Sequence, residues 1–239
     1  MKKSLFCLIL LDILFLILLI ISGSVSGILS DVFYSLAFLV PIFVGLCLIR
    51  FSKNPKWRIG LIPDKKSLLL TLGMIAPTIL LIFGISAFTS FIGTYFGASS
   101  EVDVSGNFLI VLFSRALLPA VSEEILFRFI PLNLIPPENR RIAVFFSAAM
   151  FAIVHSNPLQ MPYAFAAGLL FAVMDIAAEN IYPSLIIHFL NNLFSAIWIR
   201  LGAEYAPQMI IGLSAIAVVS VAFIYVYRRS YKGFFYGQR

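Results

Sequence analysis

Along this chain the apolar positions fall into long unbroken runs and do not alternate with polar ones. Polar breaks separate about eight runs, at 4–21, 32–49, 67–93, 107–130, 142–156, 161–177, 183–200 and 208–227. Crossing ~30 Å of hydrocarbon takes about 20 apolar residues as helix, so each run is predicted to be a membrane helix. The fifth is short and is expected either to be buried among its neighbours or to be a longer helix than the run, which leaves an odd count open. A membrane β-barrel would instead show period-two alternation. The predicted fold is therefore all-α: a polytopic membrane helical bundle of about eight transmembrane helices, forming a single integral membrane domain over 1–239.

Composition strengthens this reading. Hydrophobic residues make up 61% of the chain and charged residues 12%, against about 45–50% and about 25% in soluble domains. A soluble domain could not bury such an excess. The net charge of +6 would suit nucleic acid, but the basic residues sit in short clusters between the apolar runs, which indicates topology and no nucleic-acid partner. Lys2, Lys3, Arg50, Lys53, Lys56, Arg58, Lys65, Lys66, Arg140, Arg141, Arg228, Arg229, Lys232 and Arg239 fall on one side of an even-span arrangement, while 22–31, 94–106 and 201–207 hold no Lys or Arg. The positive-inside rule then predicts cytoplasmic N- and C-termini. Cys7 and Cys47 lie within apolar runs and read as small hydrophobes. Lys2-Lys3 followed by an apolar run and Ser22-Gly23-Ser24 resembles a signal peptide, but the run's length and Asp12 favour a retained span.

Ionisable residues inside such runs cost a few kcal/mol or more, and several of them on separate spans point to function. Here three pairs repeat a four-residue spacing. Glu124 and Arg128 share a helix face with the acid N-terminal, the favourable order for an ion pair, while Glu123 points about 100° away and stays available. Phe151 and His155 share a face of the fifth run, the ring predicted to pack beside the imidazole, and His188 and Asn192 share a face of the seventh. If the three faces converge, a carboxylate, two imidazoles and an amide surround one point. That set can activate water and stabilise the oxyanion of a tetrahedral intermediate without a protein nucleophile. Spacing alone does not divide base from oxyanion donor.

Glu123-Glu124-x-x-x-Arg128, Phe151-x-x-x-His155 and His188-x-x-x-Asn192, in this order and each in an apolar run, resemble the three motifs of the CAAX protease and bacteriocin-processing (CPBP, or Abi) family. These are intramembrane glutamic endopeptidases that include the type II CAAX prenyl endopeptidases. The resemblance covers roughly 107–200 and implies a catalytic core there, variable helices over 1–106, and a last helix with a basic cytoplasmic tail over 201–239. It implies that Glu123, with His155, activates the attacking water, that His188 and Asn192 bind the oxyanion, and that Glu124, Arg128 and Phe151 support the site. No cofactor is implied. Zinc on Glu123, His155 and His188 is the competing expectation, although His-Glu-x-x-His is missing and no Cys assists.

The activity implied by the resemblance is hydrolysis of a membrane-associated peptide or protein by a multi-pass protein, placed in a bacterial plasma membrane by its compact chain and basic loops. A prenylated C-terminal motif is one substrate expectation; relatives that process bacteriocins or confer immunity to peptides supply another. The alternative expectation is a non-catalytic immunity or regulatory protein bound to a membrane-protein partner, with the old site kept as scaffold. A transporter with a proton relay is weaker, since no pair of broken spans repeats between the two halves. Asp12, Arg115 and Asp175 are intramembrane charges outside any motif, to which no catalytic role attaches. Asp175 suits packing or an access path equally.

Convergence carries a geometrical demand. Asn192 lies nine residues after Pro183, whereas Glu123 lies 18 before Arg141 and His155 lies 14 after it. At 1.5 Å per residue, straight spans leave Glu123 and His155 too deep to meet His188. Pro131, Pro136 and Pro137 therefore predict that part of 129–141 is broken helix outside the span, raising both groups toward the cytoplasmic side.

Overall fold

The apolar runs form helices in a computed structural model that describes residues 2–51, 59–96, 106–155 and 157–201. The expected run at 208–227 and the basic tail lie outside the described residues. Three long helices come first: α1 (Lys2–Ser24), α2 (Ile28–Arg50) and α3 (Lys65–Tyr95). A composite helix follows, in which α4 (Phe108–Val111), α5 (Leu118–Glu124) and α6 (Ile130–Leu134) are joined by π-helical stretches at Leu112–Leu117 and Ile125–Phe129. After a 3₁₀ turn at Pro137–Asn139 come α7 (Arg140–Val154), α8 (Met161–Ala178) and α9 (Tyr182–Arg200). No β-strand occurs among the described residues, and Gly60 and Asn180 form one isolated parallel bridge.

Among the described residues, four helices are long and apolar enough to cross a membrane: Lys2–Ser24, Ile28–Arg50, Lys65–Gly93 and Met161–Ala178. The remaining helices carry or flank the polar constellations, and α7, with 15 residues, is short, as its run predicted. Its burial depends on small residues. Ala143, Ala148, Ala152, Ala164, Ala167 and Ala172 are all buried, and a Cβ on Gly168 would lie only 2.8 Å from Ala148 Cα. Close backbone approach of this kind lets membrane helices gain dispersion energy where lipid supplies no hydrophobic drive. On the other side of the composite helix, α1 and α2 form a hairpin whose turn is tied by reciprocal Ser22 and Ser30 hydroxyl-to-carbonyl bonds of 2.9 Å. Phe15 of α1 packs edge-on against Phe38 and Phe127, joining this hairpin to the core.

The proline prediction holds in part. The chain breaks at 135–139, but the helix continues through Pro131 to Leu134. Pro131 has no N–H to give to the carbonyl four residues back, that of Phe127, and a bare carbonyl is costly in hydrocarbon. Ser147 of α7 donates its hydroxyl to that carbonyl. A neighbouring helix thus repairs the defect, and the break moves downstream.

The segment 59–64 is pinned across one end of the bundle by two asparagines. Asn133 accepts from Ile59 N at 2.9 Å and donates to Phe129 O at 2.9 Å, while Asn180 donates to Ile62 O. Lys66 pairs with Glu179 at 3.3 Å. Asp64 starts α3 as a capping box, accepting from Ser67 N at 2.7 Å while its own N–H reaches Ser67 Oγ at 2.9 Å. These bonds from Ser67 hold the Asp64 carboxyl below its ordinary value. Lys65, Lys66 and Arg140 therefore share one end of the bundle with the starts of α7 and α9.

Candidate active site

The two adjacent glutamates have opposite surroundings. Glu124 is fully buried, and its Oε2 lies 3.4 Å from Arg128 Nε, also fully buried. This is the four-residue ion pair expected from spacing, though the two atoms are not aligned as a hydrogen bond. Arg128 also lies over the Phe151 ring at 3.7 Å and the Phe171 ring at 5.4 Å, and these aromatic faces attract the desolvated cation. The Glu123 side chain is 18% exposed, with its Oε2 3.9 Å from His188 Nε2. It also lies within electrostatic range of His155.

Spacing missed the second partner of Glu124. Its Oε1 is 2.7 Å from His188 Nδ1. A carboxylate only accepts, so Nδ1 carries the proton and donates, which leaves Nε2 directed toward Glu123. The imidazole is clasped between two carboxylates from one helix and stacks on Phe171, ring centroids 5.8 Å apart. The contact joins residues 64 positions apart, which no local pattern reveals.

Phe151 is the hub of the second motif. Its carbonyl accepts from His155 Nδ1 at 2.7 Å, so the lone pair of a neutral His155 ring is at Nε2. The ring itself touches His155, His188 and Arg128, with imidazole centroids at 4.8 and 5.6 Å. The four-residue spacing thus does more than pack a ring beside a histidine: one residue fixes the tautomer of His155 and braces the two other motifs.

His155, His188 and Asn192 all line one cavity of about 110 Å³, which Phe151 and Phe171 also border. Since one water needs about 10–15 Å³ measured this way, the cavity has room for water and part of a substrate. Four polar residues outside the expected set line it too: Ser86 of α3, Tyr163 of α8, and Asn191 and Ser195 of α9. Asn191 had a visible signal, a second amide inside an apolar run, whereas Ser86 and Tyr163 had none. Asn191 Nδ2 lies 3.5 Å from Asn192 Oδ1, so accepting there leaves the Asn192 amide N–H groups for other partners.

Counted along their helices, Glu124 sits about 15 Å from Leu134, His188 about 9 Å from Tyr182 and His155 about 22 Å from Arg140. The first two differ by about one turn, which a glutamate and an imidazole can bridge, while His155 stays at the far end of α7. Both histidines nevertheless border the same cavity. Among the described residues, no three His, Cys, Asp or Glu side chains form a group able to hold a metal ion.

Residues 105–194 match the family model of the Rce1-like type II CAAX prenyl endopeptidases. No curated protein and no solved structure matches the chain. The matched segment contains all three motifs, and together with the apolar helices it supports a multi-pass membrane protease in general terms.

Proposed function

We propose, for a chain whose residues 105–194 belong to the Rce1-like CAAX protease family, that it is an intramembrane endopeptidase cleaving a membrane-associated peptide or protein in a bacterial plasma membrane. The reading is carried by the placement of Glu123 beside His188, with His155, His188 and Asn192 on one cavity. Glu123 is the partly exposed acid and takes the catalytic role. Glu124 is occupied by Arg128 and His188 and takes a supporting one.

In the proposed reaction, water sits between the Glu123 carboxylate and His155 Nε2. Its oxygen attacks the scissile carbonyl carbon and its proton passes to Glu123. The carbonyl oxygen becomes an oxyanion bound by the Asn192 amide and His188 Nε2. Donation from Nε2 uses a ring protonated at both nitrogens, with Glu124 as its counter-ion on the far side. When the C–N bond breaks, the proton held by Glu123 moves to the leaving nitrogen. No metal takes part in this scheme.

The test is a comparison of C-terminal peptides from membranes carrying the wild-type chain or Glu123→Gln, alongside a farnesylated CAAX peptide offered to the purified protein after exhaustive chelation. Products specific to the wild type, undiminished by chelation, support the reading. Identical peptide profiles from both membranes overturn it in favour of a non-catalytic regulatory partner, and loss of cleavage on chelation, restored by zinc, overturns the metal-free mechanism.

A further inference from the structure

The start of α9 is buried, and the hydrogen bonds of its first turn can be followed donor by donor. Leu185 N makes the first four-residue helical bond, to Ile181 O at 3.1 Å. The earlier donors need other partners. Ile181 N goes to Gly60 O at 3.0 Å, Tyr182 N goes to Asn180 Oδ1 at 2.9 Å, and Pro183 has no N–H. The remaining donor, Ser184 N, is taken at 3.2 Å by Asp175 Oδ1 from the preceding helix. Asp175 thus acts as a cap supplied through space.

Asp175 and Ser184 are both fully buried. Asp175 interacts electrostatically with Arg128 and Glu124, and its Oδ2 has no hydrogen-bond partner. Ser184 bonds to Ile181 O at 3.0 Å, and its hydroxyl also faces the carboxylates of Glu124 and Asp175. His188 is one helical turn after Ser184, on the same face. Ser184, through which Asp175 holds the first turn of α9, therefore lies one turn before the imidazole that bonds Glu124.

We infer that Asp175 is a positioning residue, fixing the first turn of α9 through Ser184 and thereby setting His188 against Glu124 and the cavity. This rests on the proposed protease reading for its kinetic consequence, but its structural consequence stands apart from catalysis. Apolar or small side chains would fill the space without accepting from Ser184 N. Asparagine keeps the acceptor oxygen.

The experiment uses the full chain in lipid nanodiscs with ¹⁵N-labelled histidine. His155 and His188 are the only two histidines in the sequence, so each imidazole is assignable by single substitution. Asp175→Ala is expected to shift the His188 Nδ1 resonance and to lower kcat on a cleaved peptide at least tenfold with KM nearly unchanged. Asp175→Asn is expected to restore the His188 resonance and most of the rate, and His155 resonances should stay in place in both variants. An unmoved His188 signal in Asp175→Ala overturns the inference. So does equal displacement of both histidines in both variants, the mark of a general packing defect. If no peptide is cleaved by any form, the protease reading fails while the resonance comparison still decides the positioning role.

Discussion

Glu123→Gln and Glu124→Gln remove the same charge from adjacent residues and are expected to fail in opposite ways. Glu124 and Arg128 are both fully buried and 3.4 Å apart. At an effective dielectric of about 20, their attraction is about 5 kcal/mol, and removing one partner of a buried pair costs about 3–5 kcal/mol because the other charge is stranded. Glu124→Gln is therefore expected to be destabilised by about 3–5 kcal/mol. Its Oε1 can still accept from His188 Nδ1, so the folded fraction keeps part of its turnover. Glu123 is partly exposed, with His188 no nearer than 3.9 Å, and its replacement should alter stability by less than about 1 kcal/mol. Losing the general base should nevertheless lower kcat by about 10²–10⁴-fold. Denaturant midpoints in mixed micelles and turnover per folded molecule separate the two effects. The reasoning is refuted if Glu124→Gln unfolds at the wild-type midpoint, or if Glu123→Gln is destabilised as strongly as its neighbour.

Asn192→Ala removes an oxyanion donor without stranding a charge. It should lower kcat by about 10²–10³-fold with an unchanged unfolding midpoint, and a purely KM effect would contradict its role. Gly168→Ala forces a methyl to within 2.8 Å of Ala148 Cα; overpacking should cost about 1–3 kcal/mol, read as an earlier thermal transition, whereas wild-type stability would show that α7 and α8 do not approach so closely. The Asp64 cap has the sign of a carboxylate held below its ordinary value. Its stabilisation is complete above the unfolded value and lost as pH falls through the lowered folded one, so the protection factor of the Ser67 amide should drop only in that acidic window, and pH-independent protection would count against the capping box.

The helical spacing that pairs Glu124 with Arg128, Phe151 with His155 and His188 with Asn192 is local, and the sequence displays it directly. So are the long apolar runs, which became helices because hydrocarbon admits only helices and closed barrels, and a barrel would need alternating polar positions. What spacing could not display is contact between distant positions. The Glu124–His188 bond, the Ser147 hydroxyl answering the carbonyl freed by Pro131, and the capping of α9 by Asp175 each join separate helices. The π-helical stretches on either side of α5 were equally hidden, since apolar residues mark a helix without marking its hydrogen-bond register. Asp175 shows the gap most clearly: in sequence it is a lone charge without a motif, and only the neighbouring Ser184 N–H reveals what it does.

The most direct measurement is single-turnover peptide cleavage by the purified full chain and its Glu123→Gln and His155→Ala variants in nanodiscs, each checked for fold by its unfolding midpoint. A shared hydrolytic cavity predicts product from the wild type alone, with both variants folded and silent. Cleavage by the variants at the wild-type rate would contradict it.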